Sequence, residues 1–164
     1  MKIKIYTVGG TIDKVYFDRK STFEVGEPKI GEILTEANVC FSYALDAVLH
    51  KDSLDMTDAD RQMIFERVAA DPHRLILLTH GTDTMVQTAR SLARITDKVM
   101  VLTGAMQPAR FKASDAAFNI GCAVAAVQIL PPGAYIAMNG CIFSPDNVRK
   151  NRALNRFEPI TDNR

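Results

Sequence analysis

Three short segments of the chain gather threonines and glycines: Thr7-Val8-Gly9-Gly10-Thr11-Ile12, Thr79-His80-Gly81-Thr82-Asp83-Thr84 and Thr103-Gly104-Ala105-Met106. Glycine lets the backbone turn sharply and approach a ligand with its N–H groups exposed, while a threonine hydroxyl supplies a nucleophile or a hydrogen bond. Strand-to-helix turns favour Gly, Thr and Asp as caps in any case, so each segment alone has a structural explanation. Three of them together argue for one shared site. A phosphate cradle does not fit, because Gly9-Gly10-Thr11 is neither G-x-G-x-x-G nor G-x-x-x-x-G-K-[ST]. No serine-hydrolase elbow and no H-E-x-x-H pattern occur, and His50, His73 and His80 are spread apart, so no metal or cofactor is expected. His80, next to Gly81, reads as a brace for its loop.

Each segment follows a stretch with strand character. Residues 2–7 alternate apolar and polar up to the glycine pair, and further strands are expected at 39–49, 74–79, 97–103 and 133–139. Leu75-Ile76-Leu77-Leu78 and Val99-Met100-Val101-Leu102 are unbroken apolar runs, the pattern of strands covered on both faces of a parallel sheet. Helices are expected between them: 57–70, opened by the capping-box-like Thr57-x-x-Asp60; 83–94, with Met85, Ala89 and Leu92 on one side; 114–129, with Ser114 as N-cap; and a short one at 29–36. This alternation predicts an α/β fold in a single domain, a doubly wound, mainly parallel sheet with helices on both faces. Its ligand crevice lies at the C-terminal ends of the strands. Segment 8–28 reads as the longest irregular stretch, a loop of a size that is usually functional.

Composition narrows the class. The chain has 164 residues, 47% hydrophobic and 24% charged, with 20 basic against 19 acidic residues, which suits one domain and not two. A net charge of +1 without a basic run argues against nucleic acid, and no apolar stretch approaches the 20 or so residues of a membrane span. Small molecules are the expected partners. The N-terminus lacks the apolar region of a secretory signal, so cytoplasmic residence is expected. Cys40, Cys122 and Cys141 are odd in number and flanked by apolar residues, so they read as buried thiols, and Phe111, Phe118 and Phe143 read as core.

In order and spacing, Val8-Gly9-Gly10-Thr11-Ile12, Leu78-Thr79-His80-Gly81-Thr82-Asp83-Thr84, 103–108 and Ser114-Asp115-x-x-x-Asn119 resemble the N-terminal catalytic domain of bacterial-type L-asparaginases. The resemblance implies that a threonine attacks a side-chain amide, releases ammonia through an acyl-enzyme, and is regenerated by water. Thr11 falls at the nucleophile position. Thr82, Lys150 and Asp83 fall at a proton-handling group, which suits a hydroxyl nucleophile that needs a base. The resemblance further assigns Ser53 to the substrate α-carboxylate, Asp83 also to its α-amino group, and the Ala105 carbonyl to the scissile amide. Backbone N–H groups of the Gly10 and Gly81 turns are natural oxyanion donors.

The sequence departs from the family at three points. Phe23 stands where an activating tyrosine is usual, with Tyr16 the candidate replacement, and Leu54 stands where a polar side chain usually helps hold the amino group. The family's smaller C-terminal domain has no counterpart within 1–164, so a single N-terminal-type domain is expected over that range. The expectation is therefore an asparaginase-like amidohydrolase of altered or relaxed substrate choice, acting on asparagine or another small amide and assembled as a homo-oligomer, a dimer. Two alternatives stay open: a catalytically weak or inactive amide- or carboxylate-binding module, and a component of a larger amidotransferase.

Overall fold

The computed structural model describes residues 1–17 and 22–160. Its elements in chain order are β1 (Lys2–Thr7), β2 (Lys14–Phe17), β3 (Thr22–Val25), α1 (Ile30–Glu36), β4 (Ser42–Ala47), α2 (Asp58–Ala70), β5 (Leu75–Thr79), α3 (Met85–Leu92), β6 (Val99–Thr103), α4 (Ala116–Ile129), β7 (Gly133–Met138), β8 (Cys141–Phe143), β9 (Arg149–Asn151) and β10 (Arg156–Glu158). The main sheet runs β4-β1-β5-β6-β7-β8, parallel except for β8. From β1 the chain goes first to one edge and then crosses back to β5, so the strand order reverses between β1 and β5. In a doubly wound sheet the ligand crevice opens at that reversal, beyond the strand C-termini.

The apolar runs divide between the two faces with the period of two that a strand imposes. Ile76 and Leu78 of β5, with Met100 and Leu102 of β6, pack with Ile64 and Val68 of α2 and Met85, Ala89 and Leu92 of α3. Leu77, Val99 and Val101 face the other way, against Ile30 and Leu34 of α1 and Ile120, Ala123 and Val127 of α4. The capping box forms as expected: Asp60 N–H donates to Thr57 Oγ1 at 3.2 Å and Thr57 N–H donates to Asp60 Oδ2 at 2.8 Å.

Several expectations are corrected. Segment 8–28 is not irregular throughout: it holds a 3-10 turn at Thr11–Asp13 and the antiparallel pair β2/β3, with residues 18–21 outside the described region. The strand expected at 39–49 is shorter, and the N-cap of α4 is Asp115, not Ser114. The Asp115 carboxylate accepts from the N–H groups of Met106 and Gln107 at 3.0 Å. Cys40 and Cys141 are exposed and Cys122 is half-buried, because they sit before an edge strand, on the edge strand β8 and on the rim of α4. Of the three phenylalanines only Phe143 is buried; Phe111 and Phe118 are exposed. The domain expectation reaches Arg164, and 161–164 lie outside the described residues.

Candidate active site

Strand register lines up the three hydroxyl-rich segments. Thr7 pairs with Thr79 and Thr79 with Thr103, so the segments leave the sheet from one row at adjacent strand ends. Thr103 Oγ1 donates to the Ala137 carbonyl at 2.9 Å, whereas the buried hydroxyls of Thr7 and Thr79 have no protein partner among the described residues.

The first two loops touch through their glycines. Gly10 has φ +102°, a region that L side chains rarely enter, and a Cβ built on it would lie 2.3 Å from Gly81 Cα. This backbone contact sets Thr11, half-buried at the start of its 3-10 turn, against the turn that carries Thr82 and Asp83. No hydrogen bond joins the Thr11 side chain to that group among the described residues; the backbones make the approach.

Thr82, Asp83 and Lys150 do come together, across 67 and 68 residues of sequence: Lys150 Nζ donates to Thr82 Oγ1 at 2.7 Å and to Asp83 Oδ1 at 2.9 Å. Lys150 is held there by the β9/β10 pair, in which its cross-strand partner Phe157 is buried in the core and donates its N–H to Asn139 Oδ1 at 2.8 Å. Ser53 joins the same group from the 3-10 turn Ser53–Asp55. Its Oγ accepts from Asp83 N–H at 3.3 Å and its carbonyl accepts from Thr84 Oγ1 at 2.8 Å. The Ser53 hydroxyl proton is left to donate elsewhere. Leu54, next in the turn, is 65% exposed.

Ala105 is buried in the third loop, which Asp115 and Asn119 fasten from α4; Asn119 Nδ2 donates to the Gly104 carbonyl at 3.0 Å and to Asp115 at 2.8 Å. The Ser114-Asp115-x-x-x-Asn119 motif thus acts as a clamp on that loop. His80 is buried, with Nδ1 2.7 Å from the Gly81 carbonyl and Nε2 2.8 Å from Thr88 Oγ1. Burial pushes its pKa down to about 4, so it braces the loop as a neutral imidazole.

The hairpin β2/β3 flanks the site. Tyr16 and Phe23 are direct cross-strand partners with ring centroids 5.3 Å apart, each about half exposed, and Phe23 continues to Phe111 at 6.1 Å. Lys14, two residues before Tyr16 and on the same face, pairs with Asp52 at 2.5 Å and ties the hairpin to the Ser53 turn. The phenol at Tyr16 and the ring at Phe23 therefore share one face of the hairpin.

Two participants escaped the sequence reading. The guanidinium of Arg152 lies 3.2 Å from Asp83 Oδ1, on the oxygen that also accepts from Lys150. Arg152 follows β9 in the turn before β10, and no periodic signal in the sequence marked it. Asp13 is buried at the end of the Thr11 turn; its Oδ1 accepts from Lys29 N–H at 2.9 Å, its Oδ2 has no partner among the described residues, and burial pushes its pKa up to about 6. An aspartate just past a glycine-threonine motif gave no sign of this. Among the described residues no His, Cys, Asp and Glu group is placed to hold a metal, and no helix is long and apolar enough to cross a membrane.

The chain is similar to known proteins along nearly all of its described length. A sequence model of the family described as "Asparaginase, N-terminal" matches residues 2–160. A glutaminase-asparaginase of Acinetobacter glutaminasificans is 38% identical over 80 residues, 46% of this chain and 24% of that protein. A glutamyl-tRNA(Gln) amidotransferase component of Thermoplasma acidophilum is 28% identical over 133 residues, 75% of this chain and 32% of that protein. Among solved structures, the thermostable L-asparaginase from Thermococcus kodakarensis superposes with a TM-score of 0.83 at 28% identity, covering 98% of this chain and 51% of that one. The chain spans about half the length of that structure and less of the two relatives.

Proposed function

The chain belongs to the asparaginase family, and from that membership we propose that it is an amidohydrolase in which Thr11 is the nucleophile. The Thr11 hydroxyl attacks the amide carbonyl carbon of asparagine or another small amide. The tetrahedral intermediate expels ammonia, leaving an ester on Thr11 Oγ1, and water cleaves that ester to carboxylate and free threonine. At rest Lys150 is the ammonium paired with Asp83; for turnover it sheds that proton to solvent, takes the Thr11 proton through Thr82 and passes it to the departing amide nitrogen, while Asp83 stabilises the ammonium formed between these two transfers. The N–H groups of the Gly10 and Gly81 turns face the developing oxyanion, the Ala105 carbonyl takes the amide N–H, and the free hydroxyl proton of Ser53 meets a substrate carboxylate. Tyr16 serves as the phenol of the hairpin in place of Phe23.

The observation that carries the reading is the hydrogen-bonded Lys150–Thr82–Asp83 group at the strand-order reversal, opposite the loop of Thr11. Ammonia release from asparagine, glutamine and simple amides, with and without Thr11→Ala, tests it. Loss of about a hundredfold or more in the variant is expected, and unchanged release refutes the nucleophile assignment. The same reading makes the protein a cytoplasmic homodimer acting on a small molecule, with exposed Phe118, Ile129 and Ile142 supplying apolar surface for the interface. A second reading, an ammonia-supplying component of an amidotransferase, is favoured by the likeness to the Thermoplasma acidophilum protein and predicts co-purification with a second polypeptide.

A further inference from the structure

The carboxylate of Asp83 is already engaged before any substrate arrives. Its Oδ1 receives Lys150 Nζ at 2.9 Å and an Arg152 guanidinium nitrogen at 3.2 Å, so two cations compensate one anion. A groove of about 310 Å³ opens beside it, lined by Arg90, Arg149, Lys150 and Arg152 with Asp83 as its lining carboxylate. Glu158 takes Arg149 at 2.9 Å, and Asp146, itself exposed, approaches Arg90 only to 3.8 Å. Counting both carboxylates still leaves an excess of positive charge. On the other side of Asp83, Ser53 is fixed by its bonds to Asp83 N–H and Thr84, and the residue that its turn presents to solvent is the apolar Leu54.

An ammonium approaching Asp83 meets two cations already on its Oδ1. It competes with both for that carboxylate and is repelled by both, while Leu54 offers it no hydrogen bond in exchange. A carboxylate meets the opposite field. We propose that this site selects amides that carry a carboxylate but no free ammonium beside it, the monoamides of dicarboxylic acids, of which succinamate is the simplest four-carbon case. The inference rests on the amidohydrolase reading for its turnover, but its charge preference is open to test by binding alone.

Arg152 is then a specificity-determining residue: it competes with ammonium for Asp83 and adds attraction for the second carboxylate. Two measurements on the whole chain test this. In calorimetric titration, succinate binds about tenfold or more tightly than L-aspartate, and Arg152→Gln shrinks that ratio severalfold by weakening succinate and admitting aspartate. In ammonia release, kcat/KM for succinamate exceeds that for L-asparagine, with the same dependence on Arg152. Aspartate binding as tightly as succinate, no binding by either, or a ratio that Arg152→Gln leaves unchanged overturns the inference. A succinate preference without ammonia from any amide overturns the amidohydrolase reading and leaves this one standing. Ammonia released in preference from asparagine does the reverse.

Discussion

Replacing Gly10 by alanine tests the contact on which the whole site depends. The substitution adds a Cβ at φ +102°, a conformation that costs a non-glycine residue about 1–3 kcal/mol. It also puts that carbon 2.3 Å from Gly81 Cα, where ordinary contact begins at 3.4 Å, and the nearest atoms are backbone that has no rotamer to yield. The two loops must part by about 1 Å, a displacement that costs about a hundredfold in rate when it falls between reacting groups. The expected outcome is a kcat for ammonia release lowered by about two orders of magnitude, with a Tm lowered by about 2–4 °C for each kcal/mol lost. Gly31→Ala is the control. A Cβ there meets nothing within 4 Å inside α1, and it should gain about 0.5–1 kcal/mol with kcat unchanged. Parental kcat and Tm in Gly10→Ala would show that the loops are not held by this approach and would refute the reasoning.

Asp13 and His80 move stability with pH in opposite senses. Burial raises the folded pKa of Asp13 to about 6 from 3.8, so its contribution is lost as pH rises through that window; Asp13→Asn should be more stable than the parent at pH 7 by up to about 3 kcal/mol, a gain that vanishes near pH 4 in chemical denaturation. His80 falls from 6.5 to about 4, so the unfolded chain binds more protons and stability declines as pH drops through that range, and Thr88→Val, which strips the partner from Nε2, should cost about 1–3 kcal/mol by thermal melting. Thr79→Val removes a buried hydroxyl that has no protein partner among the described residues and should be neutral or stabilising, while Thr103→Val leaves the Ala137 carbonyl without its donor and should cost about 1 kcal/mol.

Much of the fold was legible because its signals are local or need no partner to be recognised. The runs at Leu75–Thr79 and Val99–Thr103 announce strands buried on both sides, and the Thr57–Asp60 capping box closes within three residues. The β2/β3 hairpin was not legible, since four-residue strands carry little periodic signal and gain their order from packing, as in the tie from Lys14 to Asp52. The cysteines were misread because apolar neighbours in sequence do not say which edge of the sheet a strand will occupy; Cys141 lies on the outermost strand.

The site divides in the same way. Residue types and spacing marked the loops of Thr11, Thr82 and Asp83, because a glycine-flanked hydroxyl after a strand carries its chemistry wherever the chain folds, and the family resemblance of those motifs pointed on to Lys150. Only the tertiary structure decided that Thr7, Thr79 and Thr103 stand in one row, that Gly10 and Gly81 touch, and that Arg152 shares Asp83 with Lys150. Register, close backbone approach and ion pairing between residues far apart in sequence are properties of a packed chain. They arise from which strands lie side by side, and that order is set by the burial of two opposite faces of one sheet and not by any residue's immediate neighbours.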